Sequence, residues 1–484
     1  MLTSQLHAAG ITGLCQHSGR VSVGDAFIAY RGEARDGRDF ILDVVARGAK
    51  ALVIDPEGLT PEQEAVLSLI TIPVFRVQHL AQKTPELAEA FYNHPSRHLH
   101  VIAATGTNGK SSIVFGINQM YRALDVPVAM IGTLGIGTLD HYVDNPLTTP
   151  DPVSLQRNLA EMFAQGIETV AMEASSHALD QGRLGNTEIH VAIFTNLTQD
   201  HMDYHQTMEA YGEAKALLYK MPSVETIVIN LDDAWCFAQC DKIPSSKKVI
   251  GYTCQQKTHP RCDLLISAVK QGEGYGVSEG GTTFPFHPQL IGDFNVSNLL
   301  AMIGAMRVDG FALNVLVQIA ERVSGIPGRL ECVSFLGEPR VVVDFAHTPD
   351  ALLKALLALR PTVKGKLWCV FGCGGGRDIT KRPIMGEIAA KYADHVVITT
   401  DNARNDSPEA IAQMILAGIP SGKTADVILD RAEAITKVIQ SAAVDDTVLI
   451  AGKGHEKTQT IGGVVTPFSD QATARSALDE RRQR

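Results

Sequence analysis

Val101-Ile-Ala-Ala-Thr105-Gly106-Thr107-Asn108-Gly109-Lys110-Ser111-Ser112 decides the fold. Residues 101–105 are apolar or β-branched and read as a buried strand, and a helical pattern runs over 113–124. Between them lies a glycine-rich turn. There, backbone N–H groups can face phosphate oxygens, and the helix N-terminus adds a positive dipole. Gly106, Thr107, Asn108, Gly109, Lys110, Ser111 and Ser112 are therefore candidate ATP contacts. Lys110 would reach the β/γ-phosphates and Ser111 would hold Mg²⁺. The general GxxxxGK[ST] pattern has glycine where Ala104 stands, so the loop is a variant of it.

On either side of this loop, β-branched runs at 26–30, 51–54, 169–173, 191–196, 226–230, 341–344, 367–371, 395–400 and 447–451 alternate with helical stretches. That alternation specifies an α/β fold with mostly parallel sheets. A chain of 484 residues exceeds one core. A polar turn at His94-Pro-Ser-Arg97 and a Gly/Pro-rich stretch at Gly325-Ile-Pro-Gly-Arg329 mark breaks. Three domains are expected: 1–97, 98–331 and 332–484. The charged tail 479–484 is expected to fray.

With 43 basic against 53 acidic residues the net charge is −10, which argues against nucleic acid as a partner. No apolar run reaches the roughly 20 residues of a membrane span, and the first ten residues lack a basic-then-apolar leader. A cytoplasmic protein is expected. The eight cysteines form no CxxC pair and read as reduced thiols.

Two strand ends add polar groups to the crevice that parallel sheets form at their carboxyl edges. Glu173-Ala-Ser175-Ser176-His177 follows one, and Glu173 is a candidate Mg²⁺ ligand. The adjacent serines and His177 invite a hydrolase reading, but there is no GxSxG elbow. His201, in Asn196-Leu-Thr-Gln-Asp200-His201, follows the next strand and is a second candidate ligand. A lone histidine would more often be structural.

Taken with Glu213-Ala-Lys215, Gly292-Asp-Phe-Asn-Val-Ser-Asn298, Gly328-Arg329, Asp344-Phe-Ala-His-Thr-Pro-Asp350, Gly372-Cys-Gly-Gly-Gly-Arg-Asp378, Asp401-Asn402-Ala403-Arg404 and Gly452-Lys-Gly-His-Glu456, these motifs resemble the Mur ligases of peptidoglycan synthesis over essentially the whole chain. The branch they resemble most adds 2,6-diaminopimelate to UDP-N-acetylmuramoyl-L-alanyl-D-glutamate. The resemblance implies an N-terminal UDP-binding domain, a central P-loop ATPase domain and a C-terminal Rossmann-like domain. It implies an acyl-phosphate route to an amide, in a bacterial, monomeric enzyme using ATP and Mg²⁺. By the same resemblance, Lys110, Glu173, His201 and Lys215 are catalytic, and Ser111, Glu173, His201 and Lys215 hold metal, Lys215 as a carbamate. Read alone, Lys215 is a surface lysine on a helix over 208–219. Asn295 and Asn298 would meet adenine, although alone they read equally as helix caps. Arg329, Asp344 and His347 would contact ATP from the C-terminal side. Ser18, Glu33, Ala34 and Arg35 match the uridine region, and Thr148, Thr149, Ser175, Gln181 and Arg183 the muramoyl-peptide region.

Diaminopimelate differs from lysine by a distal carboxylate, which an arginine fork binds through two hydrogen bonds. Arg404 supplies that fork in Asp401-Asn402-Ala403-Arg404, with Arg377 as a second cation and Gly452 and Glu456 completing the pocket. Ala403 stands where this branch has proline. Read alone, Arg404 is a solvated residue in a turn before Ser407-Pro408. A lysine-adding or folylpolyglutamate-type ligase is the nearest alternative, and an ATP-driven switch protein the alternative of another class.

Overall fold

The structure, a computed structural model, describes residues 2–32, 35–272, 274–290, 292–326, 328–334 and 337–482. Three separate sheets organise them. The first has four parallel strands in sequence order, Gly13–Cys15, Asp25–Ala29, Ala51–Ile54 and Val74–Arg76. Its central strands are apolar on both faces because helices cover both, which produces two clusters, one around Ala26, Ile28 and Phe91 and one around Phe27, Leu52 and Ile41.

The central sheet has eleven strands. Seven are parallel, in the spatial order Leu264–Gln271, Lys248–Thr253, Thr226–Asn230, Val191–Phe194, His100–Thr105, Thr169–Glu173 and Val128–Gly132. Both edges continue as antiparallel strands. Helices Lys110–Arg122 and Asp293–Arg307 pack one face, and Pro152–Ala164 and Met208–Lys220 pack the other. The first two touch closely: a Cβ added to Gly116 would lie 2.5 Å from Met302 Cε.

The third sheet opens with Glu331–Cys332, antiparallel to Arg340–Asp344. It continues in parallel through Thr447–Ala451, Leu367–Phe371, His395–Ile398 and Asp426–Val427. A small hairpin, Thr458–Ile461 with Val464–Pro467, stands beside it.

Every strand expected from the sequence forms, with ends shifted by no more than two residues; the run at 191–196, for example, stops at Phe194. The tail differs from expectation. Asp470–Arg482 is one helix with Leu478 buried, and Arg481 Nη1 donates to Ile439 O at 2.7 Å, so the described tail residues are tied down. No helix among the described residues is long and apolar enough to cross a membrane. The eight cysteines are free thiols.

Candidate active site

The phosphate loop leaves the strand His100–Thr105 between its two sheet neighbours, where strand order reverses and a crevice must open. Gly106 (φ +141°) admits no side chain, since a Cβ would sit 1.8 Å from Thr195 Oγ1. Asn196 pins the loop: its Oδ1 accepts from Asn108 N at 2.9 Å and its Nδ2 donates to Asn108 O at 3.1 Å. Thr107 Oγ1 donates to Thr198 O at 3.0 Å. Ala104 is a strand residue opposite Ile193, so the missing glycine falls outside the turn. Lys110 starts the helix, and its ammonium donates to Gly106 O and Thr107 O at 2.8 and 2.9 Å. Burial lowers its pKa, with Glu173 and Asp200 opposing. Ser111 is buried and Ser112 half-buried in the first turn.

Glu173 ends its strand 1% exposed, and its Oε1 accepts from Thr133 N at 2.8 Å. Lys215 is no surface lysine. It is 1% exposed, its Nζ donates to Gly106 O at 2.9 Å and it lies 4.3 Å over the Tyr211 ring. Burial and then the Lys110 charge hold its pKa well below the ordinary lysine value. Helix Met208–Lys220 therefore carries its lysine on the inward face, toward the phosphate loop. His201 adopts φ +56° next to Asp200, with Nε2 3.4 Å from Asp200 Oδ2. Burial pushes its imidazole down to about 3, leaving it neutral, the form a metal ligand needs. His177 packs edge-on against His201, ring centroids 4.8 Å apart. The reading of His177 as base to a neighbouring serine is not supported: among the described residues neither serine bonds to it, since Ser175 Oγ caps a helix by accepting from Ala178 N and Ser176, 2% exposed, pairs its Oγ with buried His205 at 3.0 Å.

Asn295 and Asn298 lie inside helix Asp293–Arg307, whose N-cap is Gly292, so neither is a cap. Asn298 packs on the phosphate loop, where a Cβ on Gly109 would meet its Oδ1 at 2.6 Å. Together with Asn108, Asn230, Asp232 and Tyr252 it lines a cavity beside that loop. Across the crevice, the Arg329 guanidinium stacks 4.4 Å above Phe345. Asp344 accepts from Leu330 N and Ala346 N at 2.7 and 2.8 Å; burial raises its pKa, with Arg329 opposing. His347 Nδ1 lies 2.9 Å from Phe345 O.

One further cavity joins the second and third sheets. It brings His201 and His347 together with Arg377, Asp401, Asn402, Arg404, Gly452 and Glu456. Arg404 is half-buried in the left-handed region (φ +52°), and its Nη1 donates to Gly375 O at 2.7 Å. Ala403 is fully buried beneath it. Asn402 Nδ2 donates to Glu456 Oε2 at 2.7 Å. Lys453, between Gly452 and Gly454, escaped the sequence reading. It is 0% exposed and donates to Asn402 Oδ1 and Glu456 Oε2. Its place inside a glycine-flanked motif was the available signal.

The remaining residues form a network next to Glu173. Thr149 Oγ1 donates to Glu173 O at 2.7 Å, Ser175 N donates to Thr149 Oγ1 at 3.0 Å, and Arg183 Nη1 donates to Thr149 O at 3.1 Å. Arg183 Nε also donates to Gln181 Oε1 at 2.8 Å, and Thr148 Oγ1 lies 3.1 Å from Thr133 Oγ1. Ser18 opens a short turn, Ser18–Arg20, in the first unit, and Arg35 is exposed there. Among the described residues no hydrogen bond ties their side chains to this network. Glu33 and Ala34 lie outside the described residues.

Three family profiles match in succession: "Mur ligase family, catalytic domain" at 10–92, "Mur ligase middle domain" at 104–306 and "Mur ligase, glutamate ligase domain" at 328–454. A relative from Acidovorax sp. (strain JS42), named UDP-N-acetylmuramoyl-L-alanyl-D-glutamate–2,6-diaminopimelate ligase, is 41% identical over 97% of this chain and 95% of its own. One of the same name from Chromobacterium violaceum is 43% identical over 95% of this chain and 93% of its own. A solved structure of that name superposes with a TM-score of 0.64 at 36% identity, covering 97% and 95% of the two chains. The ADP complex of MurF ligase from Thermotoga maritima shares the fold at 16% identity, with a TM-score of 0.65 over 98% and 99%. On this evidence the chain belongs to the Mur ligase family.

Proposed function

We propose that the protein is an ATP-dependent ligase that joins meso-2,6-diaminopimelate to UDP-N-acetylmuramoyl-L-alanyl-D-glutamate. The observation that carries the proposal is the shared cavity: Arg404 and Arg377, suited to a distal carboxylate, open onto the same space as His201 beside the phosphate loop. In this assignment residues 1–97 hold the UDP end, 98–331 activate the acid and 332–484 present the amino acid.

A carboxylate is a poor electrophile, so the D-glutamate carboxylate first takes the γ-phosphoryl group of ATP. ADP leaves and an acyl phosphate remains. The two reacting groups are anions and repel, which makes positive charge at the loop essential. Lys110 supplies it, and its present bonds to its own loop carbonyls would be exchanged for phosphate oxygens. The residues also fit Mg²⁺: Ser111 and buried Glu173 offer hard oxygen donors, and a Lys215 carbamate with neutral His201 would hold a second ion. Bound there, Mg²⁺ supplies charge neutralisation for the phosphate oxygens. Thr148, Thr149, Ser175, Gln181 and Arg183 would grip the muramoyl-peptide next to Glu173. Arg404, with Arg377, anchors the distal end of the amino acid while its amine attacks the acyl carbon. The carbon–nitrogen bond forms and inorganic phosphate departs.

ADP release measured with purified protein, ATP and Mg²⁺ tests this. It is expected to require both the UDP-muramoyl-dipeptide and meso-diaminopimelate, to fall away with L-lysine, and in R404A to lose diaminopimelate use far more than ATP affinity. ADP release independent of both acceptors would favour the switch alternative, and equal use of lysine the lysine-adding one.

A further inference from the structure

The turn after the core strand Thr447–Ala451 is built to aim one lysine inward. Gly452 and Gly454 flank Lys453 with φ of +120° and +53°. The ammonium ends with 0% exposure, 3.0 Å from Asn402 Oδ1, 2.8 Å from Glu456 Oε2 and 3.9 Å from Asp401 Oδ1. Burying an ammonium is costly, and a buried ion pair is weak evidence of stabilisation in itself. What the contact does supply is orientation. An ammonium can only donate, so Asn402 must turn Oδ1 toward it, and the amide Nδ2 is then directed at Glu456 Oε2 at 2.7 Å. Thr460 N donates to the same Oδ1 at 3.0 Å from the hairpin behind. Both Glu456 donors therefore meet one oxygen. The other, Oε1, has no hydrogen-bond partner among the described residues, and Glu456 lines the shared cavity.

We propose that Lys453 is a positioning residue for the amino-acid pocket: it fixes Asn402 and Glu456 from below, so that Glu456 offers one oxygen to the ammonium at the far end of the diamino acid. The proposal rests on the ligase assignment above and adds to it a residue that need not touch substrate.

The test is steady-state kinetics of K453M beside wild type, with thermal melting of each. In K453M the KM for meso-diaminopimelate is expected to rise about tenfold or more, the scale of losing a hydrogen bond to a charged group. The KM values for ATP and for the UDP-muramoyl-dipeptide are expected to stay within about twofold, a split that a general loosening of the fold would not produce. Removing one charge can destabilise the chain, so K453M/E456Q is compared with E456Q alone; there the lysine is removed without stranding the Glu456 carboxylate. Because Lys453 acts through Glu456, a clearly smaller KM rise from K453M in the E456Q background than in wild type supports the proposal. An unchanged KM in K453M, an equal fold-rise of KM in the wild-type and E456Q backgrounds, or failure of both lysine variants to fold would overturn it, the last by making Lys453 a stabilising residue. A wild-type enzyme inactive with all three substrates would instead remove the ligase assignment, so the two failures are distinct.

Discussion

A lysine amine buried among Gly106, Tyr211 and Lys110 meets carbon dioxide in a different state from one in water. Lys215 is held well below the ordinary lysine pKa by burial first and the Lys110 charge second, which favours its neutral form, the nucleophile in carbamate formation. Carbamylation would convert a position where two cations repel into an anion beside Lys110. K215A is therefore expected to lose about a hundredfold or more in turnover, as when a group that organises a metal site is removed. Added short carboxylic acids are expected to restore part of it. ADP release with and without acetate or formate measures both, and full activity of the unsupplemented variant would end the carbamate role. The sequence could not settle this residue. On a helix with Glu213, Lys215 and Lys220 close together, the charge pattern does not say which polar residue turns inward; only packing against the phosphate loop decides it. Glu173 was easier to read, because a carboxylate at the carboxyl end of a parallel strand has one place to point.

At the scale of elements, two loops form the proposed selector, and their separation is set by backbone contact. Gly375 packs against the chain at Ala403: a Cβ on Gly375 would lie 1.9 Å from Ala403 O, and Gly375 N donates to Asn402 O at 2.9 Å. The hairpin Thr458–Pro467 supports the other side, with Arg404 N donating to Thr460 O at 2.9 Å and Gln459 Nε2 to Thr400 O at 3.1 Å. This outside support holds a loop that lacks the stiffness proline would give at 403. G375A must push the two loops apart, so the KM for diaminopimelate is expected to rise about tenfold or more while ATP affinity is kept. Substrate-saturation curves for both check it, and a normal diaminopimelate KM would show that the loops tolerate the shift. Most of the parallel strands were legible because burial on both faces demands continuous β-branched runs, although Val128–Gly132 and Lys248–Thr253, also parallel and buried, were not among those expected. The three strands at one end of the central sheet, Leu264–Gln271, Gly274–Glu279 and Thr282–Phe286, were not. Half-exposed and carrying Lys270, Gln271, Gly276 and Pro285, they owe their pairing to one another more than to any apolar run.

Across the whole molecule, the phosphate loop is wired directly to helix Pro349–Leu359, which packs on the third sheet. Asn108 Nδ2 donates to Asp350 Oδ2 at 2.7 Å, and Lys354 Nζ holds the same oxygen at 2.8 Å. Gln199 Nε2 adds a second crossing to Thr380 Oγ1 at 3.2 Å. On the opposite side, Arg157 ties the first sheet to the second through Leu14 O and Asp25 Oδ1, at 2.5 and 2.9 Å. Sequence patterns report periodicity and local turns, and partners 242 positions apart, as Asn108 and Asp350 are, leave no such trace. The functional consequence is geometric. Asn108 also presents its N–H to Asn196 Oδ1, so the residue that shapes the phosphate loop also sets how the third unit, proposed to hold the amino acid, sits over it. Loss of this one contact should leave nucleotide binding intact and slow the step in which amine meets acyl phosphate. D350A removes a hydrogen bond to a charged acceptor, a change of about 1.5–3 kcal/mol where the contact is fully made and less at this half-buried position. Turnover is therefore expected to fall by about tenfold, with the dissociation constant for ADP changed by less than about threefold. Calorimetric titration of ADP and the ADP-release rate under saturating substrates separate the two effects. A D350A enzyme that weakens ADP binding and turnover in equal proportion would show that the contact serves the nucleotide loop alone, and the coupling between the two units would have to be sought at Gln199 and Thr380.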